Sequence, residues 1–267
     1  MKNIHEMSCD AAKGIRFVLM DIDDTLTKDG KLPASSYNAL WNLHEAGLIV
    51  IPVTGRPAGW CDLIARQWPV DGVVGENGAF VFWEERGERS FPVLKSLFHE
   101  NAVKNDHAIL KRISERVLSE LADLRIAKDQ FARLFDLAID FAEEEPVLPL
   151  DIALQVKDIA ISEGAQAKVS SIHVNIWMGV YDKLSMAEKF LTEHFGWQSG
   201  AEDRQVIFVG DSPNDEPMFE RFPLSCAVAN IRKYEKLMHH FPTFVSEKEC
   251  GEGFSEIAKT ILTIRES

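Results

Sequence analysis

The first third of the chain alternates between continuous apolar runs and segments whose apolar residues recur at helical spacing. Such runs are typical of strands covered on both faces, and the helical spacing is typical of amphipathic helices. The predicted strands are Phe17–Met20, Leu48–Val53 and Val70–Val74, and the predicted helices are one capped by Ser35 or Ser36 and ended by Gly47, and one over Ala58–Gln67. This order, β-α-β-α-β, predicts a parallel sheet.

The pattern changes in the middle of the chain, where strands and helices no longer alternate one by one. The predicted strands there are Ala79–Trp83, Phe91–Leu94, Arg133–Glu143 and Ser170–Met178, and the predicted helices are Asn105–Asp123 and Asp151–Glu163, the latter capped by Asp151. The last of these strands alternates polar and apolar residues, as a sheet with one solvated face does. We predict a separate α+β module here.

The α/β order returns in the last third of the chain. The predicted elements are helix Lys183–His194, strands Gln205–Val209 and Ala227–Ala229, and helix Glu256–Ile264. The simplest interpretation is an α/β fold with a doubly wound parallel-sheet (Rossmann-like) core and an inserted α+β domain, called the cap below. We assign residues 1–81 and 180–267 to the core and residues 82–179 to the cap.

Composition narrows the choice of partners. The 29 basic and 42 acidic residues give a formal net charge of −13, which argues against nucleic acid or an anionic membrane surface as a partner, because both need a basic face. The four scattered cysteines form no CxxC pair, and no apolar run reaches the length of a signal-peptide core or a membrane span. We therefore expect a cytoplasmic protein that acts on a small molecule, and the sequence does not indicate its oligomeric state.

Three acidic residues follow the first predicted strand directly. Asp21, Asp23 and Asp24 stand just before Thr25. Carboxylates crowded at the end of a buried strand repel one another, and a divalent cation is the usual solution. Because ligands of open α/β sheets bind at the carboxyl ends of strands, this segment predicts a metal and ligand site. The alternative is a solvated acidic turn.

Three further polar groups stand at the ends of predicted core elements: Thr54 after the second strand, Lys183 at the start of a helix, and Asp211 with Asp215 after a late strand. In this order, and together with the acidic segment, they resemble the four motifs of the haloacid dehalogenase-like hydrolases. The segments Gly75–Ala79 and Gly210–Asp215 are similar to the Cof-like branch, which includes sugar-phosphate phosphatases and is related to the phosphomannomutases. The resemblance covers about the first and last thirds of the chain, and the middle block matches only as an inserted cap.

Phosphate-ester chemistry suits these residue types without reference to the family. A carboxylate that attacks phosphorus splits one difficult hydrolysis into two easier steps, and we assign this role to Asp21. Asp23 points to the same side in an extended chain, so it can protonate the leaving alcohol and then deprotonate water. The family resemblance also implies that the backbone carbonyl of Asp23 binds the metal.

The remaining motif residues suit phosphate and metal binding. We expect Thr54 and the backbone N–H of Gly55 to hold phosphoryl oxygens, and Lys183 to neutralise the phosphate and keep Asp21 anionic. Asp211 would complete a Mg²⁺ site, with Asp215 as a ligand or just behind it, because Mg²⁺ favours oxygen ligands. Taken singly, each residue also has an ordinary structural interpretation. Thr54 could belong to a turn at the end of a strand, and Lys183 could be a surface lysine at the start of a helix. Asp211 and Asp215 could be a helix N-cap and an acid in the first turn of that helix.

Four more residues near these motifs are candidates. The guanidinium of Arg56 can bind phosphate or a substrate carboxylate, or pair with a surface acid. Asn77 lies on a glycine-flanked turn that either presents its amide to substrate or only bends the chain into the cap. Asn214 lies within the late motif and is assigned to substrate binding. Asp24 stands where the Cof-like branch usually carries glycine, and we expect it to face solvent or to cap locally.

One predicted cap strand has two distinct faces. The polar and aromatic face carries Ser171, His173, Asn175 and Trp177, and the apolar face carries Ile172, Val174, Ile176 and Met178. We expect the apolar face to pack on cap helices. The other face looks either over the active site, where His173 and Asn175 would bind a polyol or sugar, or into solvent or an interface.

These observations predict a Mg²⁺-dependent phosphomonoesterase that acts on a small phosphorylated metabolite, with a sugar phosphate as the favoured class. A phosphomutase would use the same aspartyl-phosphate and return the phosphoryl group to sugar. A phospho-acceptor signalling module also combines acids, threonine and lysine on a doubly wound sheet, but it needs neither a cap nor an acid–base pair. A dinucleotide enzyme is disfavoured because the first βα turn lacks GxGxxG.

Overall fold

A parallel sheet forms the centre of the core. The computed structural model describes residues 1–87, 91–104, 107–170 and 172–267. The strands β1 to β13 within these residues are Lys2–Asn3, Phe17–Met20, Ile49–Pro52, Val73–Gly75, Phe80–Glu85, Val93–Phe98, Arg125–Ile126, Asp136–Asp140, Gln166–Val169, His173–Trp177, Val206–Gly210, Leu224–Ala227 and Phe244–Val245. The main sheet has the order β1-β13-β12-β11-β2-β3, with all neighbours parallel.

Helices cover both faces of this sheet. The helices α1 to α8 within the described residues are Cys9–Gly14, Ala34–Glu45, Ala58–Gln67, Ala108–Glu120, Leu150–Ser162, Lys183–Phe195, Glu216–Arg221 and Cys250–Glu266. Because side chains alternate along a strand, Phe17 and Leu19 of β2 pack with α6 and α7, whereas Val18 and Met20 pack with α2, α3 and α8. The predicted doubly wound α/β core is confirmed.

The third predicted core strand departs from the prediction. β4 begins at Val73, and within the described residues its pairing with the parallel sheet is a single bridge between Val53 and Val74. Its main partner is β5, which lies antiparallel to it and pairs in turn with β6. The reason is the turn Glu76–Gly78, which reverses the chain and brings β5 back alongside β4.

A second, antiparallel sheet forms the cap. Its strand order is β7-β8-β10-β9, and one face packs on α4 and α5, with Val174 and Ile176 of β10 in that apolar cluster. The additional antiparallel sheets agree with the predicted α+β insertion. The segment 82–179 holds this sheet and most of the β5–β6 hairpin. Val81 and Phe82 of that hairpin belong to the apolar clusters of the core. The domain boundaries stay a prediction.

Several predicted helix ends and caps are wrong. α2 begins at Ala34 after Pro33, and α5 begins at Leu150 after Pro149, so Ser35, Ser36 and Asp151 do not cap these helices. Proline supplies the helical φ angle without a side-chain hydrogen bond, which explains both starts. The predicted helix start at Asn105 lies outside the described residues. Among the described helices, none is both long and apolar enough to cross a membrane.

Candidate active site

A cavity of about 630 Å³ lies between the carboxyl ends of the core strands and the cap sheet. The predicted site residues that line it are Asp21, Asp23, Gly55, Arg56, Asn77, His173, Asn175, Lys183, Asp211 and Asn214. Thr54 and Asp215 do not line it and are fully buried. The topology explains the convergence, because β11, β2 and β3 are parallel neighbours whose carboxyl ends meet at one edge.

A buried lysine joins two of the core acids. Lys183 is the first residue of α6, and its Nζ donates to Asp21 Oδ1 at 2.9 Å and to Asp215 Oδ1 at 3.4 Å. Burial disfavours the ammonium, but the charges of Asp21 and then Asp215 raise the pKa of Lys183. Lys183 therefore stays charged and points Asp21 into the cavity.

Lys183 reaches this position because the turn after β4 packs closely on the start of α6. Gly78 has φ +106°, and a Cβ atom there would lie 2.0 Å from the backbone oxygen of Asp182. Asp182 caps α6 by accepting a hydrogen bond from the N–H of Ser185. Only glycine combines this conformation with so close an approach, so Gly78 brings Asn77 and Lys183 to the same cavity.

Asp211 is held by two neutral donors. Thr25 Oγ1 donates to Asp211 Oδ1 at 3.2 Å, and Asn230 Nδ2 donates to Asp211 Oδ2 at 3.2 Å. Burial first, and the charge of Asp215 second, raise the pKa of Asp211 well above its usual value. Asn230 was not singled out from the sequence, because an asparagine in an irregular segment after a strand carries no motif.

The donor set fits a divalent cation. Carboxylate oxygens of Asp21, Asp211 and Asp215 lie within 4.8 Å of one another, and all three residues are buried. Burial raises the pKa of Asp21 to about 7, and the charge of Lys183 offsets this effect only in part, while Asp215 and Asp23 add to it. Both oxygens of Asp215 already accept hydrogen bonds, from Lys183 and from backbone N–H groups. Asp21 and Asp211 are therefore the better placed side-chain ligands, and an all-oxygen set suits Mg²⁺.

Arg56 binds an acid of the site itself. Its Nε donates to both oxygens of Asp23, at 3.1 and 3.0 Å, and its Nη2 donates to Asp23 Oδ1 at 2.7 Å. The guanidinium also stacks on Trp60, 4.4 Å from the ring centre. The acid that Arg56 contacts is a partly buried residue of the site and not a surface acid, and its binding of substrate stays a prediction. Arg56 fixes the Asp23 carboxylate at the cavity wall.

The predicted phosphate loop has an internal hydrogen bond and packs against a side chain with an unsatisfied donor. Thr54 Oγ1 accepts a hydrogen bond from the N–H of Arg56 at 3.1 Å, so the loop is closed on itself. Gly55 packs on the Asn77 side chain, since a Cβ atom would lie 3.1 Å from Asn77 Oδ1. Asn77 Nδ2 is buried without a partner among the described residues. A buried donor without a partner is costly, so Asn77 is suited to bind a substrate oxygen.

Asp24 adopts a left-handed conformation, with φ 57°. Glycine and, less readily, aspartate and asparagine tolerate it, which explains how Asp24 stands where the Cof-like branch usually has glycine. The side chain is half-buried and lines the cavity, so the expectation that it faces solvent is wrong. Its backbone oxygen accepts a hydrogen bond from Asn230.

The polar face of β10 turns toward the core, and its members differ in role. His173 and Asn175 line the cavity, but each already has a partner: His173 Nε2 lies 2.8 Å from Glu143 Oε2, and Asn175 Nδ2 donates to Asp136 at 2.9 Å. Trp177 does not line the cavity and is buried in the main apolar cluster. Ser171 lies outside the described residues.

Two contacts join the core motifs to the cap. Asn214 Nδ2 donates to the backbone oxygen of Val169 on β9 at 3.0 Å. Arg133 pairs with Asp129 and Asp136 in the cap, and its Nη1 donates to the backbone oxygen of Gly55 at 3.1 Å. Arg133 was missed at the sequence level because nothing in its neighbours distinguishes it from a surface arginine.

A buried glutamate also fastens the cap to the core. Glu76 Oε1 accepts hydrogen bonds from the N–H groups of Ala58 and Leu134, and Oε2 accepts from those of Phe135 and Asp136. Burial, and then the charge of Asp136, raise the pKa of Glu76 to about 7 against the effect of these donors. The carboxylate thus ties the start of β8 to the start of α3.

Replacing Glu76 with glutamine is expected to lower the free energy of unfolding by about 1–3 kcal/mol, because the new amide nitrogen cannot accept and leaves at least one buried N–H unpaired. Urea denaturation followed by circular dichroism measures the change. Glu45→Gln, at an exposed position in α2, is the matched control. Equal stability of the two variants would show that the four hydrogen bonds contribute little.

The comparisons with known proteins agree with this geometry. A family model described as haloacid dehalogenase-like hydrolase matches residues 18–134 and 168–250, well over half of the chain. A phosphoglycolate phosphatase from Methanobrevibacter smithii is 23% identical over 92% of this chain and 98% of its own length.

Two solved structures share the fold. A HAD/COF-like hydrolase from Plasmodium vivax has a TM-score of 0.69 and 20% identity, covering 96% of this chain and 99% of its own. A sugar phosphatase of HAD subclass IIB has a TM-score of 0.63 and 15% identity, covering 93% and 99%. The extent of the family match decides the assignment: this chain belongs to the haloacid dehalogenase-like hydrolases and is an enzyme of the phosphoric monoester hydrolase type.

Proposed function

We propose that this enzyme is a Mg²⁺-dependent phosphatase that hydrolyses a small phosphorylated metabolite through an aspartyl-phosphate on Asp21. The observation that carries the proposal is the contact of Lys183 with Asp21, 2.9 Å long, on the floor of a cavity that also holds Asp211. It supports the proposal because a carboxylate that can attack phosphorus, an ammonium that can neutralise the phosphoryl group and carboxylate oxygens that can bind a metal lie side by side.

Asp21 and Asp211, with the backbone carbonyl of Asp23, would hold Mg²⁺. The ion would supply positive charge for the phosphoryl oxygens and partly neutralise the crowded carboxylates. The side chain of Asp215 supports the set by holding Lys183 and the backbone at Asp211. The Asn77 amide and the N–H groups around Thr54 would bind the remaining phosphoryl oxygens.

The proposed reaction has two steps. An oxygen of Asp21 attacks phosphorus and the bond to the leaving oxygen breaks, while protonated Asp23 gives its proton to that oxygen. In the second step Asp23 takes a proton from water, the water oxygen attacks the same phosphorus, and Asp21 is released with inorganic phosphate. Before the first step Asp23 must leave Arg56, and the anionic phosphoryl group competes for that guanidinium.

Product analysis tests this function. With p-nitrophenyl phosphate and glucose 6-phosphate in the presence of Mg²⁺, the expected product is inorganic phosphate, detected colorimetrically. An isomeric sugar phosphate without phosphate release would identify the phosphomutase alternative, and no turnover of any phosphate monoester would contradict the proposal. The family assignment already favours an enzyme over a phospho-acceptor module.

The cap strand should contribute to substrate choice. His173→Ala and Asn175→Ala are each expected to lower kcat/KM for the natural substrate more than for p-nitrophenyl phosphate, by the ~0.5–1.5 kcal/mol of one hydrogen bond. The reason is that both side chains line the cavity from the cap, while Asp21 and Lys183 act on every phosphate ester. Equal losses on both substrates would instead indicate that these residues support the cap sheet through Glu143 and Asp136.

A further inference from the structure

The cap side of the cavity is basic, whereas the core side is acidic. The acids that line the cavity are Asp21, Asp23, Asp24 and Asp211, and all of them belong to the core. From the cap, the charged residues that line it are Arg133, Lys157 and Lys168. Arg133 is engaged by two aspartates, so the two lysines dominate the charge that the cap presents.

Lys168 is fixed on the cap face that looks into the cavity. It lies on β9 directly opposite Asn175 of β10, and directly paired residues of neighbouring strands share a face. Its side chain is half-buried, and within the described chain no carboxylate oxygen lies within 4.0 Å of its ammonium. Burial and then the positive charge of Lys183 lower the pKa of Lys168. The charges of Asp182 and Asp215 offset part of this effect from beyond ion-pair distance, and an anion bound beside this half-buried ammonium would offset more of it.

Lys157 adds a second cation from a different element. It follows Leu150 and Leu154 on α5 at helical spacing, and all three line the cavity. No ion pair of Lys157 is found among the described residues, and its charge also lowers the pKa of Lys168. Two like charges that face one cavity from separate elements repel each other, and an anion between them would remove that repulsion.

The phosphoryl group does not need these lysines. Lys183 already stands at the nucleophile, together with the proposed metal ligands and the Asn77 amide. On the cap face, His173 and one N–H of Asn175 already have acidic partners, so few neutral polar groups are left for a polyol. The unused binding capacity of the cap is therefore mainly cationic.

We propose that Lys168 and Lys157 bind a second anionic group, a carboxylate or a second phosphate, on the leaving-group side of the substrate. This inference rests on the proposed phosphatase function and narrows its substrate class. The substrate spans the cavity: its scissile phosphate lies on the acidic floor and its second anion lies under the cap. Phosphate esters of uncharged sugars are then poorer substrates than phosphorylated acids or bisphosphates.

A comparison of four phosphate esters tests the proposal. Phosphoglycolate carries a carboxylate, fructose 1,6-bisphosphate a second phosphate, glucose 6-phosphate a neutral sugar, and p-nitrophenyl phosphate serves as the reference. For the native enzyme with Mg²⁺, kcat/KM for one of the two probes with a second anionic group should exceed that for glucose 6-phosphate by about tenfold or more, as for one added charged hydrogen bond. Which probe is preferred distinguishes a carboxylate from a phosphate.

The lysines are tested by substitution. Lys168→Gln should lower the ratio of kcat/KM for the preferred anionic probe to that for p-nitrophenyl phosphate by about tenfold. The loss should lie mainly in KM, because the contact is made equally in the ground and transition states. Lys157→Gln should lower the same ratio by several-fold. Lys111→Gln, which removes an exposed cap lysine on α4 outside the cavity, should keep the native ratio.

The outcomes separate the two proposals. If the native enzyme hydrolyses none of the four esters, the phosphatase proposal fails. If it hydrolyses glucose 6-phosphate as well as the anionic probes, the inference about the lysines fails while the phosphatase proposal stands. An unchanged ratio in both Lys168→Gln and Lys157→Gln, with native circular dichroism spectra, would also overturn the inference.

Discussion

Asp21→Asn is expected to lower kcat by at least about three orders of magnitude while the protein stays folded. Asparagine has nearly the same shape but is a poor nucleophile, and Asp215, the other carboxylate that Lys183 contacts, is fully buried and does not line the cavity. Asp21 also shares a buried site with Asp211 and Asp215, so removing its charge relieves repulsion and should not lower stability.

Steady-state phosphate release from p-nitrophenyl phosphate measures this effect, and a thermal unfolding curve checks the fold. Asp10→Asn, an exposed substitution in α1, serves as the control and should keep full activity. If folded Asp21→Asn retained more than about a tenth of the native rate, Asp21 would not be the nucleophile.

Removing divalent cations is expected to lower activity by at least about two orders of magnitude, and Mg²⁺ should restore it better than Ca²⁺. The carboxylates of Asp21 and Asp211 lie close enough to share one ion. Ca²⁺ takes more ligands in a looser geometry, so it would place the attacking carboxylate less well.

The measurement is activity after dialysis against EDTA and again after addition of each metal. A second readout does not depend on catalysis: Mg²⁺ should raise the melting temperature of the native protein, as a ligand of the folded state does, and should do so less for Asp211→Asn. Full activity in the chelator would refute the metal assignment.

The arrangement of the core site could be predicted because its residues directly follow buried strands of one parallel sheet. Asp21, Thr54 and Asp211 each follow a buried apolar run, and parallel strands bring such positions to one edge. A polar residue that directly follows an apolar run could therefore be assigned to this edge of the sheet from the sequence. In the structure the three strand ends meet at one edge, where Asp21 and Asp211 line the cavity and Thr54 is buried outside its lining.

The cap was less predictable, for physical reasons that particular residues show. β9, which carries Lys168, is a short strand of mixed polarity with no apolar run to reveal it. Alternation alone put Trp177 on a face that would look over the active site or into solvent or an interface, but this end of β10 extends past the cavity and buries Trp177 in the core. The role of Glu76 could not be predicted, because its partners are backbone N–H groups of distant residues such as Phe135 and Asp136, and every residue type except proline has such a group.

The strand order of the main sheet has a consequence for how the chain folds. β11 lies between β2 and β12, so the centre of the sheet joins segments from opposite ends of the chain. During synthesis on a ribosome, β2 emerges early, and it cannot pair with β11 until nearly 200 residues later, about the separation of Phe17 and Val206. The strands of the cap sheet, in contrast, emerge close together. Long-range parallel pairing is slow and local pairing is fast. We therefore expect the cap to be structured while the core is still open, which makes the exposed edge of β2 the most aggregation-prone part of the nascent chain.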